Sequence, residues 1–449
     1  MNKIIDAVSI VMTYGDQIFA IQRQFFLKAF PGYWAFPGGK VEVGDDAFHS
    51  DHVIASGLEP RLFGAAVREG KEELGIDLRE ELAAGRIDRI DFLGLAVTPD
   101  FNPFRFATYF FRINFNIKVD FNIDRNEARI AKWMSAAELL HQYNQGYILA
   151  VPPAIKVIET LARDPDIKSI PDLNFRYDTH NVVPYIESLK SVRQIMPLSH
   201  TLPPATRTNA FLIGDGAEAK ILIDPSPQDD EEYKKFLNTV KLFGVDKIML
   251  THHHPDHHER STQMARELKL PIMLSKDTFD RLLRKDTTYF NGIKTQFLKE
   301  GDVITEWLGR KVIVYEIPGH DEGHLGVAPE DMSWFLAGDL FQGSGTVVIG
   351  GSEGNMKKYF NTLEKVIALC PKVVFPSHGI GLGGTAILER TLEHRKVREN
   401  QVLVMTQKGM DPQQILEEIY KNVSKDLWPY AIQNIHKHID KLRDDGLLI

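Results

Sequence analysis

A chain of 449 residues is too long for one ordinary hydrophobic core, so two to four domains are expected. Its apolar and charged fractions are those of a globular protein, and no run of about eighteen apolar residues offers a membrane span. The net charge of -8 argues against a general polyanion binder, with a local basic patch left open. The single cysteine, Cys370, excludes an internal disulfide and points to a reducing cytoplasm. Residues 1–14 lack the charged, apolar and small-residue zones of a signal peptide.

In chain order, Ala7 to Met12 and Gln17 to Gln22 read as two strands joined at Gly15-Asp16. A glycine-rich stretch, Gly32 to Asp45, follows; its paired Gly38 and Gly39 let backbone approach a ligand closely. Polar residues from Asp46 to Pro60 break any helical pattern. A helix is predicted over Leu62 to Leu74, with Phe63, Ala66, Val67, Gly70 and Leu74 on one stripe and Gly75 as its stop. Glu69, Glu72 and Glu73 cluster on another face, where like charges repel unless a cation sits among them. A hard ion such as Mg²⁺ would relieve them, and Arg68 can help hold Glu72. A solvated acidic face is the plain alternative.

These residues resemble the Nudix box, at Gly39, Asp45, Arg68, Glu69, Glu72, Glu73 and Gly75. Asp45 stands where that family usually has glutamate, and the spacer Asp46 to Val67 is far longer than usual. The long spacer, Leu93 to Asp100, Arg105 to Phe111 and Ala131 to Leu139 resemble the coenzyme A diphosphatase branch. The resemblance implies a Nudix α/β/α sandwich that hydrolyses a nucleoside-diphosphate-linked substrate. In it Glu69, Glu72 and Glu73 would act in catalysis and bind Mg²⁺ or Mn²⁺, with Gly38, Gly39 and Arg68 lining the site.

Prolines at 165, 171 and 184 mark a connector over residues 166–190. Beyond it, Thr208 to Gly214 and Lys220 to Asp224 read as a hairpin around Asp215-Gly216. The strand Lys247 to Thr251 runs into the densest cluster of ligand-type residues in the chain, Thr251-His-His-His-Pro-Asp-His-His258. A helix over Gln263 to Leu268 follows, then strands Pro271 to Leu274, Lys311 to Ile317, Ser333 to Ala337 and Lys372 to Phe375. Each of the last three precedes a further ligand type: His320, Asp339 and His378. A lone histidine at a strand end is usually a satisfied polar residue, but the repeated placement points to a metal centre.

This pattern resembles the metallo-β-lactamase superfamily, an αββα sandwich with its site at one edge. The resemblance implies one metal on His252, His254 and His320 and a second on Asp256, His257 and His378. Asp339 would bridge them, and Asp256 would share in catalysis. Zn²⁺ is the expected ion, two per domain, with Mn²⁺ or Fe as alternatives. Two close cations lower the pKa of a water between them, so no side-chain nucleophile is required. Asp224 matches the family's early structural aspartate. His253, His258 and His324 receive no metal role. The interval between Asp339 and His378 is too short for the inserted domain of the RNA-processing β-CASP group.

In the remaining residues, helices are predicted over Leu392 to Met405, from Asp411, and over Tyr430 to Leu442, with a short strand at Leu447 to Ile449. His394 to Leu403 resembles the winged-helix appendage of the β-lactamase-like family that includes a single-stranded RNA endonuclease and lies near glyoxalase II. Residues 391–449 hold nine Lys+Arg and nine Asp+Glu, which favours a structural, dimerising or cleft-wall role over phosphate binding. The expected whole is a multidomain α/β and α+β cytoplasmic hydrolase: Nudix domain 1–165, linker 166–190, metallo-β-lactamase-fold domain 191–390 and winged-helix domain 391–449. Its expected substrates are a nucleotide-like small molecule, with CoA or acyl-CoA in view, and an ester, thioester or phosphodiester. The alternative is cleavage of single-stranded RNA with the first domain as a ligand sensor. No membrane partner is expected, and a homodimer stays open.

Overall fold

Val8, Ile10 and Met12 point to one side of the strand Ile5–Tyr14 and Val11 to the other, and all four are buried. A strand apolar on both faces belongs inside a layered fold. The computed structural model describes residues 4–48, 52–99, 105–175, 177–214, 218–343 and 345–448. The expected turn at Asp215-Gly216, together with Asp100 and Ile449, lies outside them. Packing separates two units, residues 1–177 with 188–190, and residues 178–187 with 191–449.

In the first unit, Ile5–Tyr14 lies between Gln17–Arg23 and Phe106–Phe115, antiparallel to the former and parallel to the latter. Ile87–Val97, Trp34–Ala35 and Ala128–Ser135 complete six strands. The helix Pro60–Leu74 packs Phe63, Ala66 and Val67 on one face, while Ala136–Asn144 and Pro152–Arg163 cover the other. The result is an α/β/α sandwich. Part of the expected connector joins this core: the Ile170 N–H donates to the Leu93 carbonyl at 2.6 Å, and Leu173 is fully buried.

The second unit has two sheets. One runs Thr295–Phe297, Ile272–Leu274, Lys247–Met249, Ile221–Ile223, Ala210–Ile213, Val192–Ile195, Tyr185–Leu189. The other runs Val303–Trp307, Arg310–Glu316, Leu325–Pro329, Phe335–Gly338, Val373–Pro376, Leu382–Gly383. Phe211 of the first meets Phe375 of the second with ring centroids 5.6 Å apart. Asp230–Phe243 packs against the first sheet and Met356–Ala368 against the second, giving four layers, αββα.

Two expectations for the last residues are corrected. The helix predicted from Leu392 begins earlier and runs unbroken over Ala386–Gln407, through the boundary placed at 390/391. Its buried residues Leu388, Arg395 and Val402 recur every seven positions, so one inward stripe continues across that point. The strand expected from Leu447 is absent among the described residues. Gly446 takes φ +73°, and the N–H groups of Leu447 and Leu448 both turn back to the Leu442 carbonyl. Pro412–Ile419 and Trp428–Asp444 are helices, the former with a capping box between Asp411 and Gln414.

Candidate metal centres

Parallel pairing on both sides holds Lys247–Met249 in the middle of its sheet, and the chain leaves the strand end through buried Thr251 into His252. Pro255 then opens a single helical turn, Pro255–His258, which brings Asp256 and His257 back over the sheet edge. His320 follows Arg310–Glu316, Asp339 follows Phe335–Gly338, and His378 follows Val373–Pro376. All three therefore reach the same edge from the second sheet.

The seven residues expected as ligands meet there. His254 Nδ1 lies 3.1 Å from His252 Nε2 and 2.9 Å from His320 Nε2. Asp256 Oδ2 lies 3.7 Å from His257 Nε2 and 3.6 Å from His378 Nε2. Asp339 reaches both groups, at 3.5 Å from His320, 3.6 Å from His257 and 3.4 Å from His378. His252, His254 and His320 form one set able to hold a metal ion, and Asp256, His257 and His378 another.

The electrostatics suit cations. Burial, reinforced by the surrounding histidines, holds His252 well below the ordinary imidazole range, and burial with His254 lowers His320 to about 4. Both are therefore neutral, the form that donates a lone pair to a metal. Burial also works against charge on His257 and on His378. Asp256, Asp339 and Asp224 outweigh it at His257, and Asp339 leads at His378, so both are raised. His257 Nε2 and Asp339 Oδ1 are buried with no hydrogen-bond partner among the described residues. Leaving such atoms unpaired costs roughly 1–3 kcal/mol each, a cost that a shared divalent cation removes. The donor set fits a pair of divalent ions.

Outer partners fix each ring. Thr251 Oγ1 meets His252 Nδ1 at 3.0 Å, the Val348 carbonyl meets His320 Nδ1 at 2.9 Å, and the Arg207 carbonyl meets His378 Nδ1 at 3.0 Å. Thr208 Oγ1 donates to Asp256 at 3.1 Å. Asp224 accepts from the Thr251 N–H at 2.8 Å and its hydroxyl at 2.6 Å, and faces His257 Nδ1 at 2.8 Å. It sits at φ +52°, a backbone that asparagine also adopts. Asp224→Asn should therefore keep the fold but lose an acceptor oxygen, weakening metal at the Asp256–His257–His378 set by roughly 10–100-fold. Competition with a chelator measures this, and an unchanged affinity would contradict the role assigned to Asp224.

The three remaining histidines have partners outside the two sets, though His253 also groups with His254 and Glu353 as residues able to hold a metal ion. His253 pairs with fully buried Asp321, His258 Nδ1 meets Tyr289 Oη at 2.7 Å, and His324 Nε2 accepts from the Asp339 N–H at 3.3 Å. Sequence reasoning did not single out Asp321 or Glu353. Glu353 Oε1 stands 3.5 Å from His254 Nε2, and that histidine holds the carboxyl well below its usual range.

In the first unit, the helix Pro60–Leu74 presents Glu69, Glu72 and Glu73 beside the glycine loop. Arg68 sits among the carboxylates: Nε meets Asp45 Oδ1 at 2.9 Å, and Nη1 meets Glu69 at 2.8 Å and Glu72 at 3.1 Å. The Gly38 N–H donates to Glu73 at 3.0 Å. A Cβ on Gly38, at φ +143°, would stand 2.2 Å from the Val8 carbonyl, so that position requires glycine, and one on Gly39 would stand 2.1 Å from Glu69 Oε1 and displace that carboxylate. The three glutamates do not converge as the histidines do; among the described residues, the groupings able to hold metal all lie in the second unit. Burial raises Glu69 and pushes Glu73 up to about 8, so both carboxyls give up their charge unless a cation offsets the burial.

Glu73 carries a pH prediction. Its folded pKa exceeds its ordinary value of 4.5, so the native state keeps a proton that the unfolded chain has released. Without metal, the stability of this unit should fall as pH rises from 4.5 towards 8, and Glu73→Gln should flatten that slope. Melting temperatures across this range decide it; identical slopes for both proteins would count against the assignment.

Comparison with known proteins agrees with this geometry. Residues 3–151 match the NUDIX domain, residues 203–378 the metallo-beta-lactamase superfamily, and residues 412–449 the beta-lactamase associated winged helix domain. A Beta-lactamase-like protein 2 homolog of Drosophila melanogaster is 28% identical over 282 residues, 60% of this chain and 93% of that protein. A hydroxyacylglutathione hydrolase of Bdellovibrio bacteriovorus is 28% identical over 36% of this chain, which spans 60% of that relative. A probable metallo-hydrolase of Bacillus subtilis is 23% identical over 52% of this chain and 89% of its own length. No helix among the described residues is long and apolar enough to cross a membrane.

Proposed function

We propose, for a metal-dependent hydrolase that joins a Nudix domain to a metallo-β-lactamase superfamily domain and a winged helix domain, that hydrolysis occurs at two separate centres. In this reading the first domain cleaves a nucleoside diphosphate joined to another group, and the second cleaves a carboxylic thioester or ester. The observation that carries the second assignment is the meeting of His252, His254 and His320 with Asp256, His257 and His378 around Asp339. Zn²⁺ is the proposed ion there and Mg²⁺ or Mn²⁺ in the first domain, following donor hardness. Divalent ions at such a site supply an acidified water and a polarised scissile oxygen. The chain's residues orient that chemistry: Thr208 fixes Asp256, and Asp224 fixes the tautomer of His257.

The similarity to hydroxyacylglutathione hydrolases supports a thioester at the second site. The sequence likeness of the first region to coenzyme A diphosphatases supports a nucleotide-bearing thiol at the first. An acyl-CoA presents both groups in one cytoplasmic molecule. Incubating the full chain with acyl-CoA and with CoA should release free thiol from the former and 3′,5′-ADP from both. Absence of both products overturns the reading, while cleavage of labelled single-stranded RNA with acyl-CoA untouched would replace the thioester by a phosphodiester. Sedimentation in the same buffer would test a homodimer.

A further inference from the structure

We propose that the C-terminal helices are a positioning element for the His252–His254–His320 metal set, acting through residues 347–353; the inference rests on the two-metal reading above. This segment supplies outer partners to two of the three ligands. The Val348 carbonyl faces His320 Nδ1 at 2.9 Å, and Glu353 faces His254 Nε2 at 3.5 Å. The C-terminal helices grip the same segment at alternate residues. Arg395 donates to the Val347 carbonyl, the Ile349 N–H donates to Asn434 Oδ1 at 2.9 Å, and the Gly351 N–H donates to Gln433 Oε1 at 3.3 Å. A Cβ on Gly350 would stand 1.9 Å from Gln433 Oε1, so the contact is close.

The grip is built into the stretch His394 to Leu403. Arg395 is 1% exposed and also donates to Asn434 Oδ1 at 3.1 Å. One turn later on the same helix, Glu399 meets Lys441 at 2.8 Å and His438 at 3.3 Å, tying Ala386–Gln407 to Trp428–Asp444. Arg395 is thus spent inside the fold and unavailable to a nucleic-acid phosphate. The Asp256–His257–His378 set has a different support. Its partners Asp224, Thr208 and the Arg207 carbonyl all precede the C-terminal helices. The two sets should therefore respond differently to changes in the C-terminal helices.

The test uses the full chain in two backgrounds, His378→Ala, which leaves the first set, and His254→Ala, which leaves the second. Zinc affinity is read by chelator competition. Asn434→Leu should weaken zinc roughly 10–100-fold in the His378→Ala background and leave it unchanged in the His254→Ala background. Asn434→Asp keeps both acceptor bonds and should retain affinity. Gln433→Ala, at a half-buried position, should give a smaller loss of the same selectivity and carries the test if Asn434→Leu melts without cooperativity. No loss in either background, or equal loss in both from a cooperatively melting protein, overturns the proposal. Failure of His378→Ala with unaltered C-terminal helices to bind zinc overturns the two-metal reading itself, and this inference with it.

Discussion

Replacing His254 by alanine should abolish hydrolysis by the second domain and leave first-domain turnover unchanged. His254 Nδ1 is the closest point of contact between His252 and His320, so its loss opens the first set to two ligands. An imidazole pair without its third member binds zinc poorly, because structural and catalytic sites use at least three protein ligands. The two-metal stabilisation of a transition state is worth several kcal/mol, so kcat/KM should fall on the order of 10³-fold or more. His254 is half-buried rather than enclosed, so the truncation leaves little cavity and the fold should survive. Rates of thiol release from an acyl-CoA and of 3′,5′-ADP release from CoA, measured on one preparation, give the result. Equal loss of both activities in a folded protein would contradict two independent centres.

The grouping of the seven candidate ligands was legible in the sequence because each sits next to a strand that its own apolar residues announce. Four stand in one cluster, and His320, Asp339 and His378 stand at the ends of three later strands. Apart from Asp224, the residues around them were not legible. Asp321 and Glu353 reach the site, and Asn434 the segment beside it, over long sequence intervals, and no local period links His254 to Glu353 or Ile349 to Asn434. The helix Ala386–Gln407 hid its start because no side-chain cap marks it: Thr385, at its N-cap, makes no capping hydrogen bond. The histidine-rich run shows the opposite limit. Composition put five histidines within seven residues, and only the turn Pro255–His258 decides that His257 faces Asp339 while His258 faces Tyr289. In the first domain the helix, its acidic face and its glycine stop follow from spacing. The position of Arg68 among Asp45, Glu69 and Glu72 does not, since Asp45 approaches across the long spacer.

That position makes Glu72→Gln the sharpest change in the first domain. Glu72 is the solvent-facing member of the three, with its side chain 60% exposed, whereas Glu69 and Glu73 are buried. Its pairing with Arg68 is a surface contact worth about 0–1 kcal/mol, so removing the charge should barely alter the melting temperature. Arg68 retains Asp45 and Glu69, and the helix keeps its packing through Phe63, Ala66 and Val67. Any large loss of rate must therefore come from chemistry. If the three carboxylates share a hard divalent ion, neutralising one should lower first-domain kcat by on the order of 10³-fold and raise the Mg²⁺ concentration needed for half activity. Second-domain rates should be unchanged. Retained ligand binding, with unaltered Mg²⁺ dependence and a second domain that still responds to the ligand, would instead make the first domain a sensor.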